Sequence, residues 1–411
     1  MIILLTVGIL LVLFSFLFRK KLPPYWGFIL VLLIMGFQEG VEGDFMTYKA
    51  AYEMIESDHI ADARVISSDD EPVMTYLMYL ISYLFPYWLY VFIISFFQCF
   101  VLYKFVGKYT PKRFGYLAAI LFYFTFNMML LQMKAMRQGL AIEFMVLAFL
   151  IADGKRLNWL SPFLVVIAYF THNSMLVVLP FYLLFVAVVV RQRIKWKKRA
   201  LMMRDSMEID GQFHHLSRPR SHAFVVALKR WWNKYNVFPI MMVLIYLLTY
   251  FFKITVLNQY LVPLMLMTGG SFNRLSNYAE TTNLEESLQT NLFDISPLIV
   301  LYDAVIVFLV SSYIRNTGPK MRIFCIISIV AAFGDMLFYG AGAFARMIMY
   351  LVVFNLVVYP AVTLDIKKRY GKMWALAFMV FLIGYAVKTS LPWITGMTDD
   401  RFGTYRFVFM P

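Results

Sequence analysis

Charge is what this sequence has least of. Lys, Arg, Asp and Glu together make up 15% of its 411 residues, against 61% hydrophobic and 18% aromatic residues. A soluble globular domain is not built on that ratio, because about a quarter of such a domain is normally charged. Cysteine is nearly absent. Cys99 and Cys325, the only two, both fall in apolar stretches, which excludes a disulfide framework or a cysteine zinc site. A Gly-rich phosphate loop with its lysine is missing, as is any strand-based nucleotide pattern, so direct use of ATP is not expected. The net charge of +14 is spread over short segments between apolar runs, without base-stacking motifs, so no nucleic acid partner is expected either. The acidic runs Asp69-Asp70-Glu71 and Asp399-Asp400 lack a complete ligand set for a divalent ion, and neither a metal nor a cofactor is expected.

What is present is a series of apolar runs of about 17 to 22 residues, the length at which a helix crosses a hydrocarbon core of roughly 30 Å. The weaker ten-residue alternation of a membrane barrel does not occur. The expected fold is therefore all-α, a polytopic membrane helical bundle forming a single transmembrane domain over 1–411. Its spans fall at 2–18, 24–38, 87–106, 114–131, 137–152, 157–171, 174–190, 237–253, 294–314, 322–340, 344–363 and 373–389, about twelve transmembrane helices in all. With the N-terminus outside, Arg19-Lys20-Lys21, the 104–113 segment, Lys155-Arg156, the 191–236 segment, and the stretches 315–322 and 367–372 lie inside. They carry most of the 38 lysines and arginines, so the positive-inside rule selects this orientation. No alanine precedes Ala50, so the first span lacks the cleavage site of a secretory signal and is expected to stay as an anchor.

Three segments between spans have characters of their own. The outer segment 39–86 is acidic and then apolar from Val73 to Phe85, ending at Pro86; the apolar part is too short to span and is expected to lie in the interface or re-enter. The segment 191–236 is expected to be a basic cytoplasmic loop. It has the run Arg191 to Arg199 at its head and Trp231-Trp232 at its tail, a composition suited to an anionic inner leaflet. The outer loop 254–293, with Gly269-Gly270 and Arg274, has the composition of a lid.

Against so apolar a background, ionisable residues at span ends are costly and point to use. Arg137, followed by Gln138 and Gly139, opens the fifth span, with Lys134 three residues earlier. Two readings are open: an anion site, or side chains snorkelling to headgroups. Outward basic residues run against the orientation bias, which favours the anion site. Arg346, with Tyr350 one turn later, opens the eleventh span at the same level, and two guanidinium forks could clamp a diphosphate. His172 ends the sixth span in Thr171-His172-Asn173-Ser174, either as a helix cap or as a base for a sugar hydroxyl. Asp44, Tyr48 and Tyr52 recur every fourth residue on one helical face. That pattern fits a sugar-binding surface and a partly buried interfacial helix equally. Glu143 is expected to pair with and position Arg137, and Asp335 to pair near Arg346.

Taken together, four stretches carry a resemblance: Asp44-Phe45-Met46-Thr47-Tyr48, Met136-Arg137-Gln138-Gly139-Leu140-Ala141, Phe170-Thr171-His172-Asn173-Ser174, and Arg346 with Tyr350. The chain resembles the EpsG-like/Wzy group of bacterial polysaccharide polymerases over most of its apolar region, though 191–236 is longer and more basic than the group leads one to expect. In architecture the group is similar to lipid-donor (GT-C-like) glycosyltransferases and O-antigen ligases. The resemblance implies a multi-pass enzyme of the bacterial cytoplasmic membrane, acting on the outer face. It would transfer a growing glycan from undecaprenyl diphosphate to a sugar hydroxyl of another lipid-linked repeat unit, without metal or nucleotide sugar. Partners implied are the undecaprenyl-diphosphate-linked oligosaccharide, membrane lipids and a chain-length-determining co-polymerase. The catalytic set becomes Arg137 and Arg346 on the departing diphosphate, with His172 as first and Asp44 as second choice of base; single-step attack would invert the anomeric carbon. Lys134, Gln138, Tyr48, Tyr52, Arg274 and Tyr350 form the expected substrate-binding set. An O-antigen ligase, and a transporter or flippase of lipid-linked oligosaccharides, remain as alternatives; the second calls for polar residues through the bundle centre and repeated halves, which are sparse here.

Overall fold

The computed structural model describes residues 10, 25–39, 44–56, 72–111, 114–124, 129, 132, 133, 135–154, 159–208, 241, 244, 297–337, 342–394, 406 and 407. Among these the fold is all-α but for one two-residue bridge. The elements are α1 (Tyr25–Gly36), β1 (Gln38–Glu39), α2 (Asp44–Glu56), α3 (Pro72–Ser82), α4 (Tyr87–Tyr109), α5 (Gly115–Phe124), α6 (Met136–Ala152), α7 (Leu160–Thr171), a 3₁₀ turn (Asn173–Val177), α8 (Leu179–Glu208), α9 (Pro297–Ile314), α10 (Pro319–Leu337), α11 (Gly342–Val352), α12 (Asn355–Tyr370), α13 (Lys372–Ile394) and β2 (Arg406–Phe407). The bridge is antiparallel, with Gln38 opposite Phe407 and Glu39 opposite Arg406. The expected spans at 2–18 and 237–253, single positions apart, and the 254–293 lid lie outside the described residues.

Helix limits follow local chemistry. Pro86, extended at φ −71° and ψ 162°, stands before α4, where its missing N–H costs nothing. Among the described residues α4 is the helix both long and apolar enough to cross a membrane; Trp26–Gly36, Pro72–Ser82, Leu160–Thr171 and Val300–Ile314 are shorter apolar helices. α12 ends on Lys367, Lys368 and Arg369, which oppose the negative end of its dipole, and Gly371 terminates it at φ +95°, a conformation that glycine adopts at little cost.

Two limits differ from expectation. The helix expected to stop at 190 continues as α8 through the basic run to Glu208, because 181–208 contains no Gly or Pro and its Lys, Arg, Gln, Met, Ala and Leu residues are good helix formers. The eleventh span, expected to be continuous over 344–363, is broken into α11 and α12 by a turn at Val353 and Phe354. The Phe354 ring there meets Phe149 at 5.1 Å and Phe105 at 5.7 Å, both edge-on.

The chain divides into two compact units, 1–180 with 346–411, and 181–345. In the first, α4 packs on α1 and α6, α6 on α7, and α12 and α13 on α5. At the C-terminal ends of α4 and α6, Lys108 Nζ lies 3.1 Å from Asp153 Oδ2 and donates to the Leu150 and Asp153 carbonyls. Tyr109 donates to the same carboxylate at 2.8 Å. Nearer the start of α6 the approach is closest at Gly139, where an added Cβ would lie 2.6 Å from Gln98 Nε2 and 2.8 Å from Gln132 Cα. In the second unit α9 packs on α10, and Phe185 stacks on Phe324 at 5.4 Å. Large apolar side chains also remain on the outside, among them Phe96 and Phe100 on α4, Phe163 and Phe170 on α7, and Val380 on α13.

Gly139→Ala forces backbone at residue 132 to move, and we expect it to cost about 1–3 kcal/mol. Phe354→Ala, which empties a fully buried ring site, should cost about 3–5 kcal/mol. Thermal melting of the detergent-solubilised protein reads both; a melting temperature unchanged in either variant contradicts the packing described.

Candidate active site

The first turn of α6 and the break after α7 form the centre of the site. α6 starts at Met136 without a side-chain cap, so Arg137 and Gln138 occupy a turn whose backbone N–H groups lack helical partners. α7 ends where His172 becomes extended, at φ −160° and ψ 117°. The imidazole then caps the following 3₁₀ turn, Nδ1 accepting the Ser174 N–H at 3.4 Å. The capping reading of His172 is therefore met, and the ring has two further contacts. Tyr350 Oη, from α11, lies 2.8 Å from Nδ1, and the Gln138 side-chain amide lies 3.2 Å from Nε2.

Those contacts determine the tautomer. A backbone N–H can only donate, so Nδ1 is an acceptor, and the Tyr350 O–H donates to it. The ring proton then sits on Nε2; the Gln138 atom facing it at 3.2 Å is the amide nitrogen, and turning that amide over about its last torsion presents its oxygen to the proton. Tyr350 is 1% exposed and Gln138 7%, so the ring is fixed by buried partners on both nitrogens. The Tyr350 hydroxyl offers Nδ1 a path for a proton.

Arg137, the neighbour of Gln138, is fixed separately. Its Nε donates to Tyr48 Oη at 2.7 Å, and Cζ lies 5.6 Å from the centre of the Tyr48 ring, a cation–π arrangement. Tyr48, on α2, is itself 1% exposed. One edge of the guanidinium is thus held by the phenol, which orients the planar fork.

The Asp44, Tyr48 and Tyr52 face lies on one helix, α2, as expected, but its members have separate surroundings. Tyr48 meets Arg137, whereas Tyr52 joins an aromatic wall: its ring stands 5.4 Å from both Tyr87 and Tyr90, and its hydroxyl donates to the Phe85 carbonyl. The wall continues through Phe45, whose carbonyl accepts from the Tyr87 hydroxyl at 3.1 Å. Arg346 stands one helical turn before Tyr350 in α11. Lys134 and Arg274, and the side chains of Asp44 and Arg346, lie outside the described residues.

The expected pairing of Glu143 with Arg137 is not what forms. Glu143 Oε1 accepts from Gln132 Nε2 at 2.8 Å, fully buried. Six residues along a helix amount to a rotation of about 240°, so the two side chains leave α6 on different faces. Gln98 and Gln132 enter this neighbourhood unanticipated; the signal in the sequence is a lone amide in each apolar run, Phe97-Gln98-Cys99 and Leu131-Gln132-Met133.

Chemically, the arrangement offers an oriented guanidinium for an anion and, joined to the same turn of α6 through Gln138, an imidazole that a phenol contacts. Among the described residues no group of three or more His, Cys, Asp or Glu side chains could hold a metal ion. Comparison with curated proteins and with solved structures finds no match. The EpsG family model matches residues 25–203 and 219–394, most of the sequence, and the chain belongs to the EpsG family.

Proposed function

We propose that this protein is a polysaccharide polymerase that transfers a growing glycan from a lipid diphosphate to a sugar hydroxyl of a second lipid-linked repeat unit. The family suggests a polysaccharide polymerase-like membrane protein, and the outward apolar faces of α4, α7 and α13 suit lipid rather than water. We extend this to a multi-pass bundle of the bacterial cytoplasmic membrane with its site on the outer face. The orientation rests on the basic segments between spans.

The observation that carries the reading is that two consecutive residues of one helical turn, Arg137 held by Tyr48 and Gln138 held by His172, tie α2 and the end of α7 to the start of α6. A lipid diphosphate is a competent leaving group, so the enzyme's task is to stabilise the charge that develops on it with cations already in position. Arg137 serves that role, and Arg346 is the second cation. As the acceptor hydroxyl attacks the anomeric carbon, its proton passes to the Tyr350 oxygen while the Tyr350 proton moves to His172 Nδ1. The new glycosidic bond forms as the bond to the diphosphate breaks, the phenol is restored, and the imidazolium then returns the proton through Tyr350 to the released diphosphate. One displacement of this kind inverts the anomeric centre. Undecaprenyl diphosphate is the carrier proposed, and a chain-length-determining co-polymerase the protein partner.

In cells that make the polysaccharide, Arg137→Ala, Arg346→Ala and His172→Ala should reach the membrane at normal levels yet shorten long glycan to single repeat units, each losing about 10²–10³-fold in rate. Unchanged chain length in all three rules the site out. Tyr350→Phe separates the relay from packing: the ring stays 5.9 Å from that of His172 but the hydroxyl is gone. We expect a loss of at least about 10²-fold, read in membranes supplied with lipid-linked repeat units; wild-type polymerisation in Tyr350→Phe contradicts the relay.

A further inference from the structure

Away from Arg137, α6 carries a second polar face directed into the first unit. Gly139 and Glu143 stand one turn apart on it, opposite Gln98 of α4 and Gln132. Glu143 and Gln98 are 0% exposed and Gln132 2%. The Gln132 amide donates to Glu143 Oε1, but Glu143 Oε2, Gln132 Oε1 and both polar atoms of Gln98 have no partner among the described residues. Gln98 is directed into the cluster, its Nε2 lying 2.6 Å from where a Cβ on residue 139 would be. Gly139 is what admits it.

Orphaned amide atoms in a core each cost free energy, and a buried carboxylate without a counter-charge costs more. Evolution could remove the cost with Leu or Met at any of these positions, but the chain has three polar side chains from three segments converging instead. A proton on Glu143 Oε2 could be donated to one of the two amide oxygens and would leave the other bare. A cation that the two amides turn their oxygens to meet would satisfy both and balance the carboxylate. The donor set is hard oxygen with a single negative charge, which suits an alkali ion and is one carboxylate short of what divalent sites usually use.

We propose that Gln98, Gln132 and Glu143 bind a monovalent alkali cation, Na⁺ or K⁺, behind the first turn of α6. The ion is structural. It bridges α4, the segment at residue 132 and α6, and so steadies the turn that carries Arg137 and Gln138 without touching the reacting atoms. The site stands apart from the polymerase reading, because its test needs no substrate.

The test is the thermal melting of the purified full chain in detergent, in NaCl, KCl or N-methyl-D-glucamine chloride at equal ionic strength. Binding to the folded state raises the melting temperature as RT ln(1 + [L]/Kd), so a rise that grows with Na⁺ or K⁺ concentration, and that the organic cation does not reproduce, is expected. Glu143→Gln is nearly isosteric and removes the charge; it should lose the alkali dependence and melt no lower than wild type in the organic salt. Should that variant fail to fold, Gln98→Leu takes its place, and its half-saturating concentration should rise by about tenfold or more. Identical wild-type melting in all three salts overturns the proposal, as does an alkali shift that persists undiminished in the folded variants.

Discussion

One imidazole ring joins three segments that are remote in sequence. His172 is 34 positions from Gln138 and 178 from Tyr350, yet both reach it, and its own backbone ends α7. The geometry of the site depends on this junction. A net hydrogen bond is worth about 1 kcal/mol, but leaving the buried partner unpaired costs about 1–3 kcal/mol. Removing the ring would take a buried partner from the Tyr350 hydroxyl and the Gln138 amide together, so the junction is held more firmly than its bond count suggests. Arg137 inherits that rigidity because it is the next residue on the same turn.

α6 thereby has two distinct jobs. Its first turn presents Arg137 and Gln138 to the site, while Gly139 and Glu143 turn inward to Gln98 and Gln132. In a low-dielectric surround the first face gains in strength for an anion, and the second face must neutralise itself. The tight approach at Gly139 lets both faces coexist, since any side chain there would push α4 and the 132 segment away. Tyr48 extends the same logic to α2: a buried phenol fixes the guanidinium plane and ties that helix to the site.

Much of this was legible in the sequence, for physical reasons. Apolar runs report burial directly, so α1, α4, α6, α7, α9, α10 and α13 fall close to the expected limits. The Arg137 and His172 signatures stand out because charge is rare. What hydropathy does not encode is rotation about a helix: Glu143 lies near Arg137 in sequence, but the turn of α6 sends it to Gln132. Nor does it encode breaks that arise from packing. Val352-Val353-Phe354 contains no Gly or Pro and reads as continuous span, while the Phe354 ring, seated between Phe105 and Phe149, accompanies a turn there. Helix α8 also runs past the expected span end at 190 to Glu208, because hydropathy marks where apolar character stops and not where helix formers stop.

The account rests on a lipid diphosphate being the energy source and on no nucleotide being needed. Its most direct test reconstitutes the purified chain in lipid with one defined undecaprenyl-diphosphate oligosaccharide and nothing else, followed by sizing of the glycan and measurement of released undecaprenyl diphosphate. The account predicts a ladder of multiples of the repeat unit, with one diphosphate released per linkage. A substrate that stays at unit length, or a ladder that forms only when a nucleotide sugar is added, would contradict it.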